Sequence, residues 1–226
     1  MADISVVFPQ KQRTLLNNTA GNLPLLPSKK SDHQHERYQP MEFTQRKLSG
    51  IFEIQLAPIR DERGFFMRAY DTALFEQAGL HRPWAQENHS RSERRGIIRG
   101  LHFQFPPFAE TKLVRCVRGA VLDVFVDIRP DSPTFGQWDS LELSETNQKM
   151  IFIPRGFAHG FCTLTDESEV LYKVDNVYNR EHEGGLLWSD PHLGIPWPTD
   201  APILSEKDQR NWNWGEFLEQ MSDVSG

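Results

Sequence analysis

From Phe43 onward the apolar residues of this chain fall into short runs separated by turn formers, and their dominant period is two. Runs at 112–117 and 121–128 flank a turn at Arg118-Gly119-Ala120, and Leu122, Val124, Val126 and Ile128 share one face of the second run. Pro130-Asp131-Ser132-Pro133 interrupts the pattern before a run at 135–143, and further runs follow at 149–153, 159–164 and 170–174. Strands at roughly ten-residue spacing with no helix between them predict a β-sandwich or barrel, not a βαβ arrangement. Asp61-Glu62-Arg63-Gly64 reads as a turn ahead of Phe65-Phe66-Met67.

Two short helices are expected. Asp71 or Thr72 caps one that runs through Leu74, Phe75 and Ala78, and Gly79 ends it. The other lies near the C-terminus, with Ser205 as its cap and Trp212, Trp214, Phe217 and Leu218 as its apolar face. Residues 1–40 show neither period. Asn17-Asn18-Thr19, Pro24, Pro27, Ser28-Lys29-Lys30 and His33-Gln34-His35 cannot build a core, so the segment reads as a mobile extension ahead of one domain at 41–226.

Composition narrows the function. The chain has 226 residues and a formal net charge of -6, so its bulk electrostatics point away from nucleic acid and acidic membranes, though a local basic pocket is compatible with them. Cys116 and Cys162 both sit in apolar strand patterns and read as buried free thiols of a reducing compartment; a disulfide is the weaker reading. No signal peptide or membrane span is apparent, which makes the cytoplasm the expected location.

The candidate chemistry lies between Arg99 and Lys173. Arg99-Gly100-Leu101-His102-Phe103-Gln104, Lys112-Leu113-Val114-Arg115, Pro154-Arg155-Gly156-Phe157-Ala158-His159 and Leu171-Tyr172-Lys173 place a histidine, a lysine, a second histidine and a tyrosine on successive strands. Such a set supplies the base, cationic clamp and phenolic acid that proton removal beside a ketone requires. Taken singly, each has a plain structural reading. His102, beginning a strand after a tight Arg-Gly turn, can be a core imidazole. Lys112 can be an exposed strand end, since a buried ammonium needs an anion. Tyr172 can be a core tyrosine with a bonded hydroxyl. His159 can close a turn, and Asp208, three residues after Ser205, can be a first-turn helix acid.

The spacing resembles that of a cupin whose metal site has been dismantled. Pro154 to His159 fits the second half of the cupin metal motif, but Gln104 stands two residues after His102, where the motif has a histidine. With Glu110 as a third ligand, two histidines and one carboxylate make a poor closed site, so no metal and no cofactor are expected. Over about 43–209 the chain resembles the dTDP-4-dehydrorhamnose 3,5-epimerases, the metal-free cupin enzymes of deoxysugar pathways. Asp61 to Phe66, Asn88-His89-Ser90, Arg99 to Gln104, Lys112 to Arg115, Ser132-Pro133-Thr134-Phe135-Gly136, Gly156 to Phe161, Leu171 to Lys173 and Leu204-Ser205-Glu206-Lys207-Asp208 match that family's motifs in order.

The resemblance implies a mainly β, cupin-type double-stranded β-helix (a jelly roll) with a few short helices. It implies an isomerase that inverts C3 and C5 of a nucleotide-linked 4-keto-6-deoxyhexose. His102 is then the general base paired with Asp208, Tyr172 the general acid on the opposite face, and Lys112 the group that stabilises the enolate oxygen. By the same match Arg63, Gln86, Asn88, Arg99, His159, Glu183 and Lys207 line the substrate site, and Tyr178 stacks on the nucleoside. Family members are homodimers that exchange N-terminal strands. Two positions depart from the family: Arg68, also placed at the substrate, stands where a glutamate is common, and Gly184 where an arginine is common. A single-centre epimerase or a different nucleotide or sugar is the near alternative. A metal-dependent cupin oxygenase and a non-catalytic sugar-binding cupin are the alternatives of other classes.

Overall fold

Strands with an apolar face must bury it, and here two sheets do so against each other. The computed structural model describes residues 41–224, so the extension expected at 1–40 lies outside the described residues. The elements of the first half are β1 (Glu42–Gln45), β2 (Phe52–Gln55), β3 (Ile59–Asp61), β4 (Gly64–Phe66), α1 (Thr72–Gln77), β5 (Gln86–Ser92), β6 (Ile98–Gln104) and β7 (Lys112–Arg118). They are followed by β8 (Ala120–Asp127), β9 (Trp138–Ser144), β10 (Lys149–Ile153), β11 (Phe157–Thr163), β12 (Ser168–Val174), β13 (Glu183–Gly185) and α2 (Trp214–Val224). One sheet has the order β1-β2-β10-β7-β12-β5 and the other β13-β6-β11-β8-β9, with β3 and β4 forming a separate hairpin. The pairings between these strands are antiparallel, as the expected jelly roll requires.

Alternation along each strand sorts its side chains into layers. Between the sheets, Val114, Cys116, Val121, Phe125, Ile151, Phe161 and Val170 form the central core. The outer face of the six-stranded sheet, with Leu113, Met150 and Phe152, is covered by Phe75 of α1 and by Leu80. The outer face of the five-stranded sheet carries Leu101, Phe103, Val124, Val126 and Ile128, covered by Trp214 and Phe217 of α2. The apolar row foreseen on β8 therefore lies beneath α2, while Val121 and Phe125 of the same strand fill the interior.

The first helix is capped as expected, since Asp71 accepts a hydrogen bond from the Leu74 amide at 3.2 Å. Gly79, at φ +71°, takes the left-handed turn that ends it. The C-terminal expectation needs correction. Ser205 is not the cap of the C-terminal helix: its hydroxyl accepts from the Asp208 amide at 3.1 Å, just ahead of the short 3-10 turn Asp208–Arg210, whose N-cap is Lys207. Helix α2 starts later, where Asn213 and Glu216 cap reciprocally through bonds of 2.9 and 3.0 Å. Trp212 precedes it in a bridge to Leu186, and Leu218 is exposed rather than apolar-face. The run expected from Phe135 begins as a strand only at Trp138.

The Ser132–Gly136 segment before that strand is tied down by Asp127, a fully buried carboxylate. Asp127 accepts from the Arg129 guanidinium at 2.6 and 2.8 Å and from the Ser132 and Thr134 hydroxyls at 2.6 Å each. Burial opposes its charge, but these donors together hold its carboxyl below the ordinary range. Asp127→Ala removes the shared acceptor of Arg129, Ser132 and Thr134, leaving the guanidinium without its carboxylate and the two hydroxyls with only each other to donate to, and is expected to cost about 3–5 kcal/mol. Thermal unfolding should then show Tm lowered on the order of 10 °C. A shift under 2 °C, on the order of one residue-level surface change, would refute this role.

Candidate active site

The interior between the sheets is apolar through most of its depth and polar at one end. Inward positions of β6, β7, β11 and β12 at that end are His102, Lys112, His159 and Tyr172, and those of β5 are Gln86, Asn88 and Ser90. They line a cavity of two lobes, about 200 and 260 Å³, that share His102, Lys112 and Tyr172. One lobe adds Gln86, Asn88, Tyr178 and Glu183; the other adds Arg99, His159, Lys207 and Asp208. A larger hollow of about 720 Å³ lies under α2, but its charged lining groups, Arg129 and Arg155, are each bound to an aspartate, so it holds no acid–base pair.

His102 does not begin a strand as the sequence reading had it; it sits mid-strand in β6. Gly100 is a contact residue rather than the end of a turn: at φ +130°, a Cβ there would lie 2.5 Å from the Gly160 Cα. That close approach puts β6 against β11 and sets His102 opposite His159 in register. The 3-10 turn carries Asp208 to within 2.6 Å (Oδ1) of His102 Nε2. Burial of Asp208 opposes its ionisation, but the His102 hydrogen bond and charge, the Ser205 hydroxyl and Lys207 hold its carboxyl below the ordinary range. A charged carboxylate on one ring nitrogen leaves the other nitrogen to take a proton.

Tyr172 faces His102 from the other sheet. Burial, aided by the charge of Glu110 against that of Arg99, pushes its phenol up, so it keeps its proton well past neutral pH. Lys112 is 6 % exposed and has Glu110 at 3.0 Å as its counter-ion. A base on one wall, a protonated acid on the other and an ammonium on the same cavity are the groups needed to remove, hold and return a proton beside a carbonyl.

Other groups shape the rim. Lys207 pairs with Glu183, which accepts from the Tyr178 hydroxyl at 3.0 Å. Among the described residues, Arg99 is the ammonium or guanidinium of this cavity that pairs with no carboxylate; it donates at 3.1 Å to Ser92 Oγ and to the Arg91 carbonyl. Its charge is available to an anionic ligand. Gln104, the residue at the broken metal motif, spends its amide on protein. It donates to the Phe108 and Val177 carbonyls and to Glu110, and accepts from the Asn179 amide, fixing the loops beside Lys112 and Tyr178.

Two expected site residues are not brought together with the rest. Arg63 is at the tip of the β3–β4 hairpin, paired with Asp61, and Arg68, beyond the end of β4, pairs with Asp71 at 2.9 Å. The departure at Gly184 has a packing cause, because a Cβ there would lie 2.5 Å from the Phe103 ring and 2.8 Å from Trp212. Asp123 was missed by the sequence reading: fully buried on β8, it receives His159 Nε2 at 2.9 Å. Its one signal was an acid among the apolar residues of that run.

Known proteins resemble this chain in sequence and fold. A sequence profile described as dTDP-4-dehydrorhamnose 3,5-epimerase matches residues 45–216. The chain is 52% identical over 149 residues to the Shigella flexneri dTDP-4-dehydrorhamnose 3,5-epimerase, covering 66% of this chain and 82% of that protein. It is 40% identical over 164 residues to a dTDP-4-dehydrorhamnose 3-epimerase of Streptomyces niveus, covering 72% and 78%. The crystal structure of the Bacillus anthracis dTDP-4-dehydrorhamnose 3,5-epimerase with TDP and pyrophosphate bound superposes with a TM-score of 0.76 at 43% identity, covering 77% of this chain and 99% of that one. With the jelly roll and the ordered motifs in place, these matches fix the lineage: the chain belongs to the dTDP-4-dehydrorhamnose 3,5-epimerase family.

Proposed function

We propose that this protein inverts C3 and C5 of a thymidine-diphosphate-linked 4-keto-6-deoxyhexose without metal or cofactor. The observation that carries the reading is His102 on one sheet, paired with Asp208 of the adjoining 3-10 turn, across the cavity from protonated Tyr172 on the other sheet. His102 removes the proton next to the C4 ketone, and Asp208 holds the ring in the tautomer that can accept it. Charge then moves to the ketone oxygen, where Lys112 stabilises it more than it does the ground state. Tyr172 returns a proton to the opposite side, which inverts the carbon. Arg99 and Lys207 take the diphosphate, with His159, Gln86, Asn88 and Glu183 around it, and Tyr178 stacks on the base.

A homodimer that exchanges N-terminal strands accounts for Arg63. The β3–β4 hairpin belongs to neither large sheet and exposes Phe65 by 52% and Phe66 by 65%, an apolar surface suited to a second copy of the chain. In this reading the hairpin brings Arg63 to the nucleotide, with Arg68 as a second contact from the same segment. Buried free Cys116 and Cys162 suit the cytoplasm, and no described helix is long and apolar enough to cross a membrane.

The test is deuterium incorporation from D₂O into a panel of nucleotide-linked 4-keto-6-deoxy sugars, followed by NMR after exhaustive chelation. Deuterium at both C3 and C5 of the thymidine-linked sugar is expected. The Streptomyces relative named as a 3-epimerase gives the second reading its footing. Label at C3 alone would assign the single-centre reaction, and activity abolished by chelation would revive metal chemistry.

A further inference from the structure

We propose that Ser90 is a substrate-contacting residue whose side-chain hydroxyl bonds a ring hydroxyl of the bound sugar; this rests on the epimerase reading above. Ser90 Oγ is buried and has no hydrogen-bond partner in the protein. A buried hydroxyl left unpaired costs stability, so the missing partner needs a physical identity. Two other buried side-chain atoms share this state among the described residues, Trp84 Nε1 and Asp123 Oδ1, and neither residue lines the active-site cavity. Ser90 does.

Its position follows from strand alternation. On β5 the side chains of Gln86, Asn88 and Ser90 point inward, and their register partners on β12 are Val174, Tyr172 and Val170. Ser90 is thus one inward step beyond the Asn88–Tyr172 pair. It lines the lobe that holds Asp208, with His102, Lys112 and Tyr172, whereas Tyr178 lines the other lobe. Neighbouring Ser92 shows what a satisfied serine on this strand looks like, since it accepts from Arg99 at 3.1 Å. Arg99 spends its remaining protein contact on the Arg91 carbonyl and does not bond Ser90. A serine hydroxyl both donates and accepts, as a sugar hydroxyl does, whereas a diphosphate oxygen only accepts and is already served by cations. That two-way chemistry, beside the His102–Tyr172 pair that acts on the sugar, favours the sugar over the nucleotide.

Ser90→Ala separates this contact from a structural role. The variant is expected to lower kcat/KM for the thymidine-linked 4-keto sugar about 3- to 10-fold, the range for one neutral hydrogen bond. Affinity for TDP, which lacks the sugar, should stay within about twofold, and Tm should hold or rise because an unpaired buried hydroxyl is gone. An unchanged kcat/KM would overturn the contact, as would a parallel loss of TDP affinity or a fall in Tm that tracks the loss of activity. A wild-type protein that binds TDP yet exchanges no deuterium into any 4-keto sugar would overturn the epimerase reading, and the sugar contact with it.

Discussion

His102→Asn is expected to abolish solvent-deuterium exchange at both C3 and C5, with a rate loss on the order of 10² to 10⁴. The size follows from what the imidazole alone supplies. His102 is the titratable side chain of the cavity bonded to Asp208, at 2.6 Å, and Asp208 is 4 % exposed. Because that carboxyl is held below its ordinary range, it stays charged as the pH falls through the neutral region and loses its charge only at more acid pH than an ordinary aspartate does. The base is therefore supported wherever the fold is intact. An asparagine amide can still donate to Asp208, so the variant should fold with Tm close to wild type, while nothing remains at that place to accept the carbon-bound proton. Tyr172 cannot substitute, since its phenol is pushed up and stays protonated. NMR of the exchange, read beside thermal unfolding, checks the prediction. Near-normal exchange at either carbon would remove His102 from the role.

Much of this framework was legible because its determinants are local. The run expected at 149–153 coincides with β10, and the helix after Asp71 with α1, because turn formers and a capping carboxylate act within a few residues. What was not legible depends on neighbours distant in sequence. Periodicity on β8 revealed the face beneath α2, but the strand is buried on both sides, so Val121 and Phe125 carried no contrast to mark the inner face. Gly100 looked like a turn residue because its need for space comes from Gly160, sixty positions away in the chain and visible only once β6 and β11 pair. Ser205 read as the cap of the last helix, but its hydroxyl instead holds the Asp208 amide at the turn that delivers Asp208. The grouping of the candidate side chains was legible for the same reason in reverse: alternating strands place His102, Lys112, His159 and Tyr172 on inward positions wherever the sheets close. The arginines at 63 and 68 sit on a segment that its own chain does not fold over the cavity.

Tyr172→Phe is expected to uncouple proton removal from inversion. The base, its carboxylate and Lys112 are untouched, so C–H bonds still open, but the wall opposite His102 no longer has a donor. Net epimerisation should fall on the order of 10² to 10⁴, while deuterium exchange with retained configuration, returned from the His102 side, falls far less. The ring itself packs on the central core through its apolar edge, and phenylalanine keeps that contact, so Tm should change little. The pH dependence gives a second signature. Burial raises the phenol's pKa, so in the wild type the proton donor is complete at neutral pH and is lost only as the pH rises past the ordinary tyrosine value of about 10. That alkaline decline should be absent from the residual exchange of the variant. If exchange and inversion instead fall by the same factor, the hydroxyl positions the sugar and the returning proton comes from water or another group.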